Sequence, residues 1–285
     1  MHARIRATFV ALMALLTVGI VAAAPAGAIT GGVIDSKNVY SNVGMIAFYD
    51  DGLRFRCSAT LVTPTVLLTA AHCTFATEGK TIVSFAPLID DAPPSDIPAA
   101  TDPAVGYTSA PRGWYAGTPY AHPQYSDFTD LANWNDVGVV VLDKAVRGIA
   151  PAAVAPTNYL DQFTPDLLNS TLFRAVGYGT EVRQADGGPQ TPTPMSYPIV
   201  RRYADIPGQK LTPQILQVNG NENDNRGDGG TCFGDSGGPA LHDGYVVTVT
   251  SYGYTSNCRY IDGLQRVDIP VVQDWLAEFG ITPAA

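Results

Sequence analysis

Thr231-Cys232-Phe233-Gly234-Asp235-Ser236-Gly237-Gly238-Pro239 places one serine between an aspartate and a pair of glycines, four residues behind a cysteine. A serine hydroxyl is a poor nucleophile at neutral pH. It needs a base to take its proton and fixed donors to hold the oxyanion that forms. Gly234, Gly237 and Gly238 allow the sharp turns such a loop requires and let a substrate approach closely. A base of the right type stands upstream in Thr69-Ala70-Ala71-His72-Cys73, again beside a cysteine. An imidazole with a pKa near 6.5 can accept a serine proton and return it to a leaving amine.

These two phrases resemble the hallmark segments TAAHC and GDSGGP of the chymotrypsin/trypsin-like serine proteases, and both stand unbroken. The resemblance covers nearly all of residues 29–281. It implies an all-β fold of two six-stranded antiparallel β-barrels with the active site between them and a C-terminal helix. The implied domains are 29–145 for the first barrel, 146–160 for a linker, and 161–285 for the second barrel and helix. A literal G-x-S-x-G also spans Gly234 to Gly238 and would suit an α/β-hydrolase elbow, but that arrangement needs an acid and then a histidine after the serine. His242 is the single histidine downstream, six residues on. The order histidine, aspartate, serine matches the chymotrypsin template.

The third member should be a carboxylate that holds the histidine tautomer. Asp136 opens Asn135-Asp136-Val137-Gly138-Val139-Val140-Val141-Leu142 and resembles the family's aspartate entering a buried strand. Asp127 and Asp130 are rivals in a polar loop. The long gap between His72 and Asp136 is explained by a Pro-rich insertion ending near Pro119. His122 lies in a loop ahead of the acid strand and His242 in a surface turn. By resemblance, the backbone N–H groups of Gly234 and Ser236 form the oxyanion hole. Ser251-Tyr252-Gly253 resembles the family's SWG strand: Ser251 supports Asp136, and the Gly253 backbone pairs with extended substrate.

The resemblance also implies an activation step in which a new N-terminal ammonium meets the aspartate before the nucleophile. Here Ile29-Thr30-Gly31-Gly32 and Asp235 are the corresponding residues. The same resemblance implies that pocket specificity is read from the residue six before the serine, which here is Gly230 and carries no acid. With Gly253 and Gly263 as further small residues, a wide uncharged pocket favours a large apolar or aromatic side chain. Asp228 and Asp262 lie close enough in sequence for a small shift to bring an acid into the pocket and favour Arg or Lys.

Composition agrees with a protein outside the cytoplasm. Arg4 and Arg6 precede an apolar run to about Ala24, then Ala26-Gly27-Ala28, which reads as a secretory signal peptide over residues 1–28. An uncleaved anchor is the competing interpretation of that run. The chain of 285 residues has 17 basic and 26 acidic side chains, a net charge of −9. An acidic chain has no electrostatic reason to bind nucleic acid or an anionic membrane. Polypeptide substrates and protein inhibitors are the implied partners, the expected form is a monomer, and no cofactor or metal is needed.

Cys57, Cys73, Cys232 and Cys258 form an even set, which in a secreted chain suggests two disulfides with three pairings open. The absence of a C-x-x-C pair argues against zinc. The resemblance selects Cys57–Cys73 and Cys232–Cys258.

Short β-type runs at Val43–Tyr49, Ser58–Leu61, Val66–Thr69, Thr81–Phe85, Val137–Leu142, Thr171–Val176 and Tyr245–Ser251 are broken by turn residues, the pattern of a barrel or sandwich. Val271, Val272, Trp275, Leu276 and Phe279 share one helical face, with Pro270 at its start and Gly280 at its end. Ala86–Pro119 and Thr180–Pro198 read as inserted surface loops. Asn219–Gly230, dense in Asn, Asp and Gly, reads as a solvated turn, with a calcium loop as its rival. A catalytically silent binding protein on the same fold is the alternative function.

Overall fold

The computed structural model describes residues 29–180, 197–227 and 229–285. The leader at 1–28, Asp228 and most of the Thr180–Pro198 loop lie outside the described residues.

A short strand β1 (Val33–Ile34) leads into β2 (Val43–Asp50), β3 (Leu53–Thr63), β4 (Val66–Thr69), β5 (Glu78–Ser84), β6 (Leu88–Asp90), β7 (Tyr115–Ala121) and β8 (Gly138–Leu142). Six of these close a barrel in the order β2-β3-β4-β8-β7-β5, every pairing antiparallel. Successive side chains of a strand point to opposite faces. Strand β2 is nonetheless buried almost throughout, because both faces are covered. Ile46 and Phe48 point inward with Ala59, Leu61, Leu67 and Val83, while Met45, Ala47 and Tyr49 pack outward against Tyr107, Tyr178 and Ile199. This explains why its sequence is a continuous apolar run.

After β9 (Ala153–Val154) and a short helix α1 (Pro165–Ser170) come β10 (Leu172–Gly177), β11 (Ile199–Val200), β12 (Arg202–Leu211), β13 (Ile215–Asn219), β14 (Pro239–His242), β15 (Tyr245–Gly253) and β16 (Ile261–Arg266). Strands β12-β10-β14-β15-β16-β13 close through the β12–β13 pairing into the second barrel. Its core holds Phe173, Ala175, Ile206, Leu216, Val218 and Leu264.

The two barrels meet across Val66, Leu68, Val137 and Val139 of the first and Val246, Val249 and Val267 of the second. Helix α2 (Pro270–Ala277) lays Val272, Trp275 and Leu276 into the same cluster. Pro270 occupies its first turn, where a missing N–H costs nothing.

Three features differ from the sequence reading. The segment expected to open the first barrel belongs to the second: Ile29 is fully buried in that barrel's core, and β1 pairs with β12. Ala86–Pro119 is not merely a surface loop. It contains β6, which pairs with β11, and the start of β7, and it buries Ile97 and Tyr107. Strands β12, β13 and β16 and helix α1 were not anticipated. Strand β12 carries Arg202, Asp205, Pro207 and Gly208 with a register shift between Gly208 and Lys210, so it lacks a β-type pattern.

One close approach sets the site. A Cβ on Gly138 would lie 2.3 Å from Thr74 Oγ1 and 2.6 Å from the Ala70 carbonyl oxygen, so β8 meets the turn that carries His72 with no room for a side chain. Gly138→Ala is expected to cost about 1–3 kcal/mol of stability by overpacking, measurable by urea unfolding.

Candidate active site

His72 sits in a 3-10 turn, Ala71–Cys73, directly after β4. Thr74 Oγ1 donates to the Ala71 carbonyl at 3.0 Å, and the Cys57–Cys73 disulfide ties the turn to β3. Asp136 immediately precedes Val137 and β8 and is fully buried. One of its oxygens accepts from the His72 backbone N–H at 2.9 Å. The other accepts from His72 Nδ1–H at 2.8 Å and from Ser251 Oγ–H at 2.6 Å. Trp134 Nε1–H donates in turn to Ser251 Oγ at 2.9 Å, and the Asp136 N–H donates to Gln265 Oε1 at 3.1 Å. Burial pulls the His72 pKa down, but the Asp136 charge and hydrogen bond outweigh it and leave the imidazole above its usual 6.5. With Nδ1–H committed to Asp136, the neutral ring presents Nε2 as its basic nitrogen.

Ser236 stands in a tight turn between Cys232 and β14. Its carbonyl accepts from Ser58 N–H at 2.8 Å, and Gly237 N–H donates to Thr250 O at 2.8 Å. Gly237 has φ +73°, and a Cβ there would lie 1.9 Å from Thr69 Oγ1, so no other residue fits the turn. Among the described residues, the N–H groups of Gly234 and Ser236 donate to no protein acceptor. The Gly234 carbonyl, by contrast, is held by Ser58 Oγ at 2.9 Å. Ser236 and His72 line one cavity, and the serine hydroxyl is not hydrogen-bonded to the ring in this conformation.

Asp127 and Asp130 are exposed in a loop whose Phe128 ring packs on His72, but their own hydrogen bonds stay within that loop. His122 accepts from Gln124 N–H on Nδ1 and so donates from Nε2 to the Val271 carbonyl of α2. His242 packs among Tyr159, Phe163 and Phe173.

Asp235 is buried and accepts from the N–H groups of Gly179 (2.7 Å) and Cys232 (2.9 Å), near the guanidinium groups of Arg56 and Arg202. Burial outweighs these contacts and pushes its pKa up to about 7. Thr30 forms an isolated β-bridge with Gly230, its carbonyl accepting from Gly230 N–H at 3.0 Å, so the Ile29 segment runs alongside the irregular segment that leads to Asp235.

A pocket of about 400 Å³ opens beside Ser236, walled by Thr231, Ser251, Tyr252, Gly253 and the Cys232–Cys258 disulfide. Gly230 and Gly263 lie behind this wall. Gly230 backs onto Gly220, and the Tyr252 ring rests on Gly263, where a Cβ would come within 2.1 Å of it. Asp262 also lies behind the wall. One of its oxygens accepts from Thr231 N–H (2.8 Å) and Oγ1–H (2.9 Å), and a Cβ on Gly253 would sit 3.3 Å from the other. Burial raises the Asp262 pKa to about 7.

The family model for trypsin matches residues 33–276. The chain belongs to the trypsin family. Brachyurin of Leptuca pugilator is 26% identical over 263 residues, covering 90% of this chain and all of that one. A trypsin of Saccharopolyspora erythraea is 27% identical over 206 residues, covering 71% and 77%. Among solved structures, HL collagenase superposes with a TM-score of 0.61 at 15% identity, covering 88% of this chain and 98% of that one. Human heparin binding protein gives 0.57 at 17% identity, with 90% and 100% covered. These structural likenesses speak to the fold, and they agree with the two barrels described above.

Within this trypsin-family chain, Cys57, His72 and Cys73 cluster closely enough to suggest a metal site, but both sulfurs are spent in a disulfide and offer no thiolate. In the Asn219–Gly230 turn, Asp224 is engaged by Arg226 and Asn219, and Glu222 by Arg259. Its carboxylates are thus already paired, and Asp228 lies outside the described residues.

Sequence reasoning passed over Trp134 and Gln265, which contact the Ser251–Asp136 network from 117 and 129 residues away in the chain. For hydrolysis of a peptide or ester, the acid limb of kcat/KM is expected above pH 6.5, because His72 must be neutral to act as a base. Asp136→Asn should lower kcat by about 10⁴-fold and move that limb down. A pH–rate profile of both proteins checks each part.

Proposed function

We propose that this chain is a secreted serine endopeptidase, active as a monomer on polypeptides and checked by protein inhibitors. Ser236 Oγ attacks the peptide carbonyl as His72 Nε2 takes its proton. Asp136 holds the imidazole in its tautomer and stabilises the imidazolium. The carbonyl oxygen becomes an oxyanion between the N–H groups of Gly234 and Ser236. His72 then protonates the leaving amine, the acyl-enzyme forms, and water attacks it by the same path in reverse. The observation that carries this reading is the pairing of the oriented His72–Asp136 unit with two unused N–H donors that flank the Ser236 turn. Each such donor contributes about 3–4 kcal/mol to lowering a barrier of this kind.

The pocket walled by Tyr252 and Gly253 supports preference for a large apolar or aromatic side chain before the scissile bond. A second reading rests on Asp262. Its carboxyl, poised to ionise near neutral pH behind Gly253, would add affinity for Arg or Lys as pH rises through 7. The sign follows from the raised pKa: below it the group is neutral and the pocket apolar, above it anionic. Cleavage mapping on a diverse peptide library should show cuts after Phe, Tyr or Leu at pH 6 and a growing share after Arg and Lys by pH 8.5. Asp262→Asn should remove that growth, and Ser236→Ala should abolish every cut. Cleavage independent of Ser236 would sink the mechanism. No cleavage by a correctly processed protein would favour a silent binding protein.

Signal cleavage after Ala28 would expose the Ile29 ammonium, and the buried Asp235 carboxyl is its proposed partner. The Thr30–Gly230 bridge supports this by running the two segments side by side. One extra residue placed before Ile29 should cut activity at least tenfold, and unchanged activity would refute the ion pair.

A further inference from the structure

Ser236 lines two cavities, and the pocket described above is the smaller, about 400 Å³ against about 480 Å³. The larger is built on the β2–β3 hairpin of the first barrel. Phe48 and Phe55 are direct partners across that hairpin, their rings 6.0 Å apart and inclined by only 26°. Phe233 faces the same space from the second barrel, and the Cys57–Cys73 disulfide anchors the cavity beside His72.

Two observations mark this as a working surface. Phe55 and Phe233 are 45% and 47% exposed in a chain that buries most of its large apolar side chains. Aromatic rings left in water beside a reactive centre are recovered when a ligand covers them. The two arginines of the lining are also turned to backbone oxygens. Arg54 donates to Ile97 O and Arg56 to Tyr178 O, each at 2.7 Å. Asp50 also borders the cavity, so the face offered to a ligand is ring and disulfide together with one carboxylate.

The chemistry says which part of a substrate belongs there. His72 lines this second cavity and not the first. It is also the group that must deliver a proton to the departing nitrogen. A peptide whose carbonyl lies over the Gly234 and Ser236 amides, with its acyl-side residue in the pocket of Tyr252 and Gly253, has its leaving amine toward His72. The residue bearing that amine then lies against Phe55 and Phe233. We infer that the leaving-group side of this site selects a large aromatic or branched apolar residue, held between Phe55 and Phe233, and that substrate choice is made on both sides of the scissile bond. This inference rests on the acyl-enzyme mechanism proposed above.

The same cavity should choose among amines that intercept the acyl-enzyme. The amine lone pair attacks the Ser236 ester carbonyl, a C–N bond forms, the C–Oγ bond breaks, and the amine proton passes through His72 to Ser236 Oγ. The processed enzyme would be acylated with a Tyr methyl ester in the presence of glycinamide, leucinamide or phenylalaninamide, and peptide product counted against hydrolysis. Phenylalaninamide and leucinamide are expected to capture the acyl group at least about tenfold better than glycinamide. Phe55→Ala should reduce that ratio about fivefold or more, with glycinamide as internal reference. Phe55 lies half-exposed in a hairpin, so its truncation leaves the barrel core intact.

Equal capture of the three amides, or a ratio indifferent to Phe55→Ala, would overturn the inference while leaving the mechanism standing. An ester left untouched would instead defeat the mechanism. The cavity is then tested by calorimetric binding of Tyr-Phe and Tyr-Gly peptides to the Ser236→Ala protein. Tighter binding of the Tyr-Phe peptide that Phe55→Ala removes supports the groove, and equal binding of the two refutes it.

Discussion

A carboxylate with no access to water is the condition around which this molecule is arranged. Asp136 is fully buried, and an ion in that position is strongly disfavoured unless hydrogen bonds replace its hydration. The replacements come from both barrels. The His72 backbone and imidazole supply two from the first, and Ser251 on β15 supplies another from the second, itself oriented by Trp134. The Asp136 N–H reaches back to Gln265 on β16. These bonds can be made together only if the barrels meet at one relative position. The absence of a side chain at Gly138 follows from the same demand, since it lets β8 bring Asp136 up to the turn of His72.

The chain reinforces this meeting with both of its described ends. Before the chain enters the first barrel, Ile29 is buried in the core of the second and Val33–Ile34 pair with its strand β12. The C-terminal helix crosses the other way and packs Trp275 and Leu276 against Val66, Leu68 and Val139. Each disulfide, by contrast, stays within one barrel, closing separations of 16 and 26 residues beside the histidine and the serine. Covalent links thus steady the individual loops, while apolar packing and the Asp136 network set one barrel against the other.

Legibility in the sequence followed the range of the interactions. His72 and Ser236 lie in tight turns that constrain their own neighbours, as the positive φ of Gly234 and Gly237 shows, and such local demands leave contiguous motifs. Asp136 could be singled out because it opens an apolar run entering a buried strand. Trp134 and Gln265 left no such trace, because their contacts are made with residues more than a hundred positions away. The pocket fell between these cases. Its wall at Ser251–Gly253 was found from a short phrase. The places of Gly263 and Asp262 behind that wall depend on the register of β16 against β13 and β15, which has an irregularity between Thr250 and Tyr252, and that of Gly230 on its bridge to Thr30. Strand β12 escaped notice for a related reason: its polar residues are satisfied by tertiary partners, as Arg174 satisfies Asp205.

Helix α2 follows in the chain every strand that it packs against. Strands β4 and β8 can pair within the first barrel without it, but the apolar cluster that seats them on the second barrel is complete only when Val272, Trp275 and Leu276 are in place. Docking of the two barrels is therefore a late event of assembly, and the cleft between them takes its final shape after each barrel has its own core.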